Sequence, residues 1–162
     1  SNRTIRFYDT KNRNDHELPI CDAVKRLLED RKDIVKEAET HPERLKWVFP
    51  ARSKRSKVGH YSDSKSLREY LCSEAEIVKL GMHDLRRTFG RVAEELVSYA
   101  VVKRLLNHRN TTDPTERYAE PDQERIFEAL QRIELHMLMT APKLYNVLLA
   151  SAKYPPLPET RE

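Results

Sequence analysis

The chain has 162 residues, with 30 basic against 26 acidic side chains, a formal charge of +4 and 38% hydrophobic residues, enough for one domain with a real core. Its three glycines, Gly59, Gly81 and Gly90, stand far apart, which excludes the glycine-rich turns that wrap phosphates in nucleotide-binding folds. No apolar stretch approaches the ~20 residues of a membrane span, and no signal-peptide pattern opens the chain.

Taken in chain order, Thr4 to Tyr8 and Glu17 to Ile20 read as short strands, because Ile5 and Phe7, then Leu18 and Ile20, alternate with polar residues. The run Asp9-Thr10-Lys11-Asn12-Arg13-Asn14-Asp15 between them is dense in turn formers. The pattern predicts a hairpin with Lys11 near its tip. A helix follows from about Asp22, with Val24, Leu27, Leu28, Ile34, Val35 and Ala38 as its core stripe. His41-Pro42 should end it.

Trp47-Val48-Phe49-Pro50 reads as a short apolar anchor, and Arg52, Lys54, Arg55 and Lys57 form a basic loop with no acid inside it. A second helix is predicted from about Asp63 to Lys79, burying Leu67, Tyr70, Leu71, Ile77 and Val78, with Gly81 as its terminator. A third begins near His83 or Asp84. Leu85, Phe89, Val92 and Leu96 cluster on one side of it, while His83, Arg86 and Arg87 project roughly opposite.

Ser98 is expected to cap a fourth helix that carries Val101, Val102, Leu105 and Leu106 and ends near His108. Asp113-Pro114-Thr115-Glu116 has the composition of a helix start, and Tyr118 rides the short helix it begins. Pro121 opens a further helix with Ile126, Phe127, Leu130, Ile133 and Met137 on its apolar side. Leu144, Val147 and Leu148 support a last helix before Pro155, Pro156 and Pro158. The expectation is a mainly α domain with one small β-hairpin.

Charge is unevenly placed. Residues 1–118 carry 25 basic and 19 acidic side chains, and the remainder 5 and 7. A basic body with a slightly acidic tail suits a polyanionic partner, although a solvated charged surface produces the same balance. Cys21 and Cys72 are too few for a disulfide framework or a cysteine-based zinc site.

Singly, the polar residues along this chain are ordinary; their order is not. His83-Asp84-Leu85-Arg86-Arg87-Thr88-Phe89, then Leu105-Leu106-Asn107-His108, then Thr115-Glu116-Arg117-Tyr118 resemble the tyrosine recombinase, or phage integrase, family. The family's His-x-x-Arg box falls on His83 and Arg86. Its second-histidine box, usually Leu-Gly-His, falls on Leu106-Asn107-His108, and its tyrosine on Tyr118. The strand-turn-strand with Lys11 matches the family's β-hairpin lysine. The resemblance runs from Thr4 to about Arg132. Asn107 stands where the family has glycine, and asparagine tolerates the backbone angles glycine supplies.

The resemblance implies the catalytic-domain fold of DNA breaking-rejoining enzymes and site-specific recombination or integration through a 3′-phosphotyrosyl link. It implies no metal, nucleotide or other cofactor. Tyr118 is then the nucleophile, and its phenol, with a pKa near ~10, needs a proton acceptor to attack at neutral pH. His83 takes that role. Arg86 holds phosphate oxygens in its planar fork, His108 donates to a nonbridging oxygen, and Lys11 protonates the departing 5′ oxygen. Arg52, Lys54, Arg55, Lys57, Arg87, Arg91 and Arg109 are expected to contact neighbouring DNA phosphates.

The family has a further catalytic arginine on a helix before the hairpin, and Arg3 and Arg6 are poor substitutes for it. With Ser1-Asn2 at the start in place of methionine, residues 1–162 read as a C-terminal catalytic fragment, inactive or nearly so alone. Its parts are a hairpin at 3–20, a helical core at 22–118 and a helical tail at 119–162. The tail has the length and apolar stripes to dock a neighbouring subunit in a homo-tetramer on double-stranded DNA, or to pack on its own domain. The expected setting is the bacterial cytoplasm, with no membrane partner.

Two readings from other classes compete. A non-catalytic helical DNA-binding module would use Leu85 to His108 as a helix-turn-helix, in which Tyr99 to Leu106 offers mainly Lys103 and Arg104 to read bases. A metal-dependent nuclease built on His83, Asp84 and His108 ranks last, because phosphoryl-transfer metals favour converging carboxylates.

Overall fold

A computed structural model describes residues 3–38, 42–51, 56–108 and 121–143. The helix predicted at Asp113 to Tyr118, the last helix around Leu144 to Leu148 and the proline-rich end lie outside the described residues, as do Arg52, Lys54, Arg55 and Arg109. The elements are strands β1 (Thr4–Phe7) and β2 (His16–Pro19), helices α1 (Asp22–Ala38), α2 (Lys65–Glu74), α3 (Met82–Leu96), α4 (Tyr99–Leu105) and α5 (Gln123–Thr140), and a short 3-10 turn at Pro42–Arg44. The architecture is mainly helical with one two-stranded antiparallel sheet, as the sequence predicts. The chain divides into two compact units, Ser1–Arg26 with Thr88–Glu162, and Leu27–Arg87, the divisions falling inside α1 and α3.

The first unit is organised by an apolar cluster of Ala93, Val101, Val102, Leu105, Ile126, Ala129 and Ile133, with Leu18, Phe89, Val92, Leu96, Val97, Leu106 and Leu130 packed around it. Ile126 and Ile133 are each 1% exposed. They lie two helical turns apart on α5, which is why a 3.6-residue period brings both to one stripe. Asp122 starts α5 by accepting a hydrogen bond from the Arg125 amide at 2.8 Å, the usual service of an N-cap carboxylate. At the other end Leu138 is buried and Met137, expected on the stripe, is exposed. In α3 the buried positions are Gly90 and Ala93, with Phe89, Val92 and Leu96 flanking them, and Leu85 is exposed.

The hairpin pairs Thr4 with Pro19, Ile5 with Leu18, Arg6 with Glu17 and Phe7 with His16. Only β2 lies against the core, through Leu18. Ile5 and Phe7 alternate as expected but remain exposed on the outer strand. Arg3 is held by an ion pair with Asp22 and sits over the Phe127 ring. Arg6 is held by Glu17, its Nε donating at 2.8 Å. That bond raises the Arg6 guanidinium and lowers the Glu17 carboxyl from their ordinary ranges.

At the start of α1 the predicted stripe shifts by one position. Ala23 and Arg26 are buried where Val24 and Leu27 were expected, and further along Val35 is buried while Ile34 is exposed. The Glu134 carboxylate of α5 accepts from the Ala23 amide, which satisfies one of the orphan donors of a helix N-terminus. Burial, then the neighbouring Glu134, push the Cys21 thiol up to about 12.

The second unit is built differently. In α2 no residue is buried, and Leu67, Tyr70 and Leu71 are exposed, contrary to expectation. The helix also ends early, at Glu74. Ile77 N–H reaches Cys72 O at 3.0 Å and Glu76 N–H reaches Ser73 O at 3.2 Å, with Glu76 at φ 54°. This is the left-handed closure usually made by glycine. Ile77 and Val78 therefore fall beyond the helix and are exposed. Gly81, expected to terminate α2, instead opens α3: its N–H donates to Asp84 Oδ2 at 2.9 Å, and its carbonyl accepts from the Asp84 amide at 3.1 Å.

The apolar anchor of this unit is an aromatic arrangement. The Trp47 and His60 rings lie 4.4 Å apart, the Arg31 guanidinium sits 5.3 Å from the Phe49 centroid, and Lys46 Nζ lies 5.1 Å from that of Trp47. An antiparallel bridge joins Pro50 to His60, with Ala51 N–H donating to Gly59 O at 3.0 Å and Tyr61 N–H to Phe49 O at 2.9 Å. These bonds hold Ala51 and Gly59, the described residues that flank the basic stretch in sequence, side by side. Gly59 has φ 74°, and a Cβ there would meet Trp47 Nε1 at 3.3 Å, so both backbone and space favour glycine.

Candidate functional site

Lys11 sits on a turn fixed from inside. Thr10 N–H donates to Asn14 O at 3.1 Å, Arg13 N–H to Thr10 O at 2.7 Å and Asp9 N–H to Asp15 Oδ1 at 3.2 Å. Asp9 and Arg13 both take positive φ, 43° and 53°. The Thr10 hydroxyl lies 2.9 Å from the main-chain and side-chain oxygens of Asn14. Lys11 itself is exposed.

His108 is presented by the end of α4. Asn107 has φ 49°, Asn107 N–H donates to Arg104 O at 3.2 Å, and His108 N–H donates to Lys103 O at 2.9 Å. Two orphan carbonyls are thereby satisfied and the backbone direction at His108 is set. Asparagine performs here the backbone task of the glycine usual in the Leu-Gly-His box. The Ser98 hydroxyl, at the other end of α4, stands at the N-cap position but accepts nothing from the helix amides; Arg125 donates to it at 3.4 Å.

These two pieces meet within the first unit. Asn12 Nδ2 donates to Asn107 O at 2.8 Å, and Asn107 Nδ2 donates to Thr10 Oγ1 at 3.1 Å. The turn that carries Lys11 is thus tied on both sides of that lysine to the residue preceding His108. Nearby, Arg104 donates to His16 Nδ1 at 3.1 Å and to Glu17 O at 3.2 Å, joining α4 to β2.

His83 and Arg86 lie three residues apart in the first turns of α3, which puts them on neighbouring positions of one helix face. Both are exposed, as are Arg87, Arg91 and Lys57. His83, Arg86, Arg87 and Lys57 belong to the Leu27–Arg87 unit, and Lys11, Arg91 and His108 to the other. Tyr118 lies outside the described residues.

Other candidates are occupied elsewhere. Asp84 accepts the Gly81 amide at the start of α3. Among the described residues no group of three or more His, Cys, Asp or Glu stands ready to hold a metal ion, and no helix is long and apolar enough to cross a membrane. Helix α4 buries Val101, Val102 and Leu105; of its two basic residues, Lys103 lies over the exposed Tyr99 ring of the same helix and Arg104 is bonded to β2. Sequence reasoning passed over Thr10, Asn12 and His60. The first two were visible only as turn formers, and their partner is 95 or 97 residues away.

The sequence model of the phage integrase family matches residues 1–125. No curated protein and no solved structure matches the chain.

Proposed function

The chain belongs to the phage integrase family, and from that premise we propose the chemistry its residues perform. Membership implies a DNA-binding tyrosine recombinase that breaks and rejoins DNA strands. The proposed route is site-specific recombination through a 3′-phosphotyrosyl intermediate. The Tyr118 oxygen attacks one backbone phosphorus, the bond from phosphorus to the 5′ oxygen breaks, and the 3′ side stays linked to the enzyme. His83 accepts the phenol proton. Lys11 supplies a proton to the departing oxygen, which leaves as a 5′ hydroxyl. The reverse attack by a different 5′ hydroxyl rejoins the strand, so the energy of the broken bond is kept in the phosphotyrosine.

The phosphate gains charge as the attack proceeds, and fixed cationic donors lower that barrier most when they are already in place. Arg86 is suited to two phosphate oxygens at once, because its guanidinium is a planar fork. His108 donates to another. Arg52, Lys54, Arg55, Lys57, Arg87, Arg91 and Arg109 serve DNA phosphates away from the cut, positioning the duplex without reading its sequence. The 119–162 tail is proposed to join subunits in a tetramer on DNA, and the setting to be the bacterial cytoplasm.

The observation that supports this reading most is the pair of hydrogen bonds between the Lys11 turn and Asn107. A lysine and a histidine nearly a hundred residues apart serve one phosphate only if something holds their segments together. The test is covalent capture of nicked duplexes from a random-sequence pool by the full-length protein. Tyr118→Phe is expected to abolish the adduct while leaving salt-dependent DNA binding in place. An adduct formed by that variant at the parental rate removes Tyr118 as the nucleophile.

A further inference from the structure

A turn that is already closed by bonds among Asp9, Thr10, Arg13, Asn14 and Asp15 does not need a second set of bonds to hold its shape. The bonds to Asn107 do something else. They leave from the residues immediately before and after Lys11, and they end on one residue, Asn107, by its carbonyl and by its amide. Asn107 is also the left-handed residue that closes α4 and sets the backbone at His108. Glycine, the usual residue of the family's box, supplies the backbone angle and the carbonyl but has no side-chain amide to give.

We propose that Asn107 is a positioning residue for Lys11: its amide, received by the Thr10 hydroxyl, fixes the turn so that the lysine reaches the departing 5′ oxygen while His108 reaches the same phosphate. The inference rests on the proposed roles of Lys11 and Tyr118. Thr10 is the other half of the device. Its hydroxyl accepts from Asn107 while its own hydrogen is directed to Asn14, so one side chain couples the inside of the turn to the helix end.

The chemistry offers a way to separate positioning of a proton donor from general stabilisation. A 5′ alkoxide must be protonated to leave, whereas a thiolate, with a thiol pKa near ~8.5, leaves at neutral pH without a donor. The experiment uses the full-length protein and a duplex first recovered from a random-sequence pool by covalent capture, prepared with either oxygen or sulfur bridging phosphorus to the 5′ carbon at the cut. Asn107→Gly keeps the left-handed backbone, and Thr10→Val keeps the volume of the side chain while removing the hydroxyl with its bonds to Asn14 and Asn107. On the oxygen duplex each variant is expected to form adduct about tenfold or more slowly than the parent, at unchanged half-saturating DNA, as misplacing a proton donor does. On the sulfur duplex each should come within about twofold of the parent, the proton no longer being needed. Thr10→Ser, which retains the hydroxyl, should restore the oxygen rate.

Equal defects on both duplexes, or no defect on either, overturn the positioning role while leaving the reading beneath it intact. A parent that forms no adduct with any duplex in the pool overturns that reading, and this inference with it. Should Asn107→Gly fail to fold, the Thr10→Val and Thr10→Ser pair decides the question alone.

Discussion

The two units of this chain reach order by different means. The first wraps β2, the later turns of α3, α4 and α5 around a continuous apolar cluster in which Ile126, Ile133 and Val101 are almost wholly enclosed. The second has a helix, α2, with no buried residue, and relies on Trp47 against His60, Arg31 over Phe49 and a short backbone bridge. Burial of aliphatic side chains is worth kilocalories apiece, while a half-exposed aromatic or cation contact is worth about 1 kcal/mol or less. The same number of apolar letters in a sequence can therefore carry very different amounts of stability.

The largest effect that would sharpen this contrast is a cavity in the first unit. Ile133→Ala is expected to cost about 2–5 kcal/mol, a large share of a total that is ordinarily ~5–15 kcal/mol. Chemical denaturation of the two proteins measures it. A loss below 1 kcal/mol would mean that the cluster is not what holds the unit.

Each unit also carries one cysteine, a built-in reporter: Cys21 is buried in the first and Cys72 is half-buried in the second. The Cys21 thiol, pushed up to about 12 when folded, ionises earlier when unfolded, so its contribution is fully present below about pH 9 and is lost as the pH rises toward 12. Across that window the unfolded state has released a proton the folded state still holds, and stability should fall by about 1.4 kcal/mol per pH unit from this group. Cys21→Ala should flatten that part of the pH–stability profile. A profile identical in both proteins would show that the thiol is not shielded.

The smallest effect belongs to the second unit. Leu71→Ala on α2 should change stability by less than about 0.5 kcal/mol, because the side chain is exposed. A loss comparable with that of Ile133→Ala would erase the distinction between the units.

Much of this was legible beforehand, for identifiable reasons. The α5 stripe was, because Ile126, Leu130 and Ile133 keep a strict helical period and nothing competes with it. Left-handed Asn107 was, because few residues other than glycine accept that conformation. The α1 stripe was misplaced because the buried side includes Arg26, and hydropathy assigns arginine to solvent even where its stem can line a core. The end of α2 was misplaced because Glu76, which has no preference for positive φ, makes the closure. On α2 the apolar letters kept helical spacing without a surface to cover, which periodicity alone does not reveal. For the candidate site, the order and spacing of His83, Arg86, His108 and Tyr118 were readable, but the bond from Asn107 to Thr10 spans 97 residues. Tertiary folding creates it, and no local pattern announces it.

The bridge between Pro50 and His60 has one more consequence. Because hydrogen bonds close the segment at Ala51 and Gly59, its ends stay together whatever its length, and each doubling of the intervening residues adds only about 0.6 kcal/mol of closure entropy. Positive charge between Ala51 and Gly59 can therefore be added or removed by insertion and deletion as readily as by substitution, with the pairing of Trp47 and His60 left as it is.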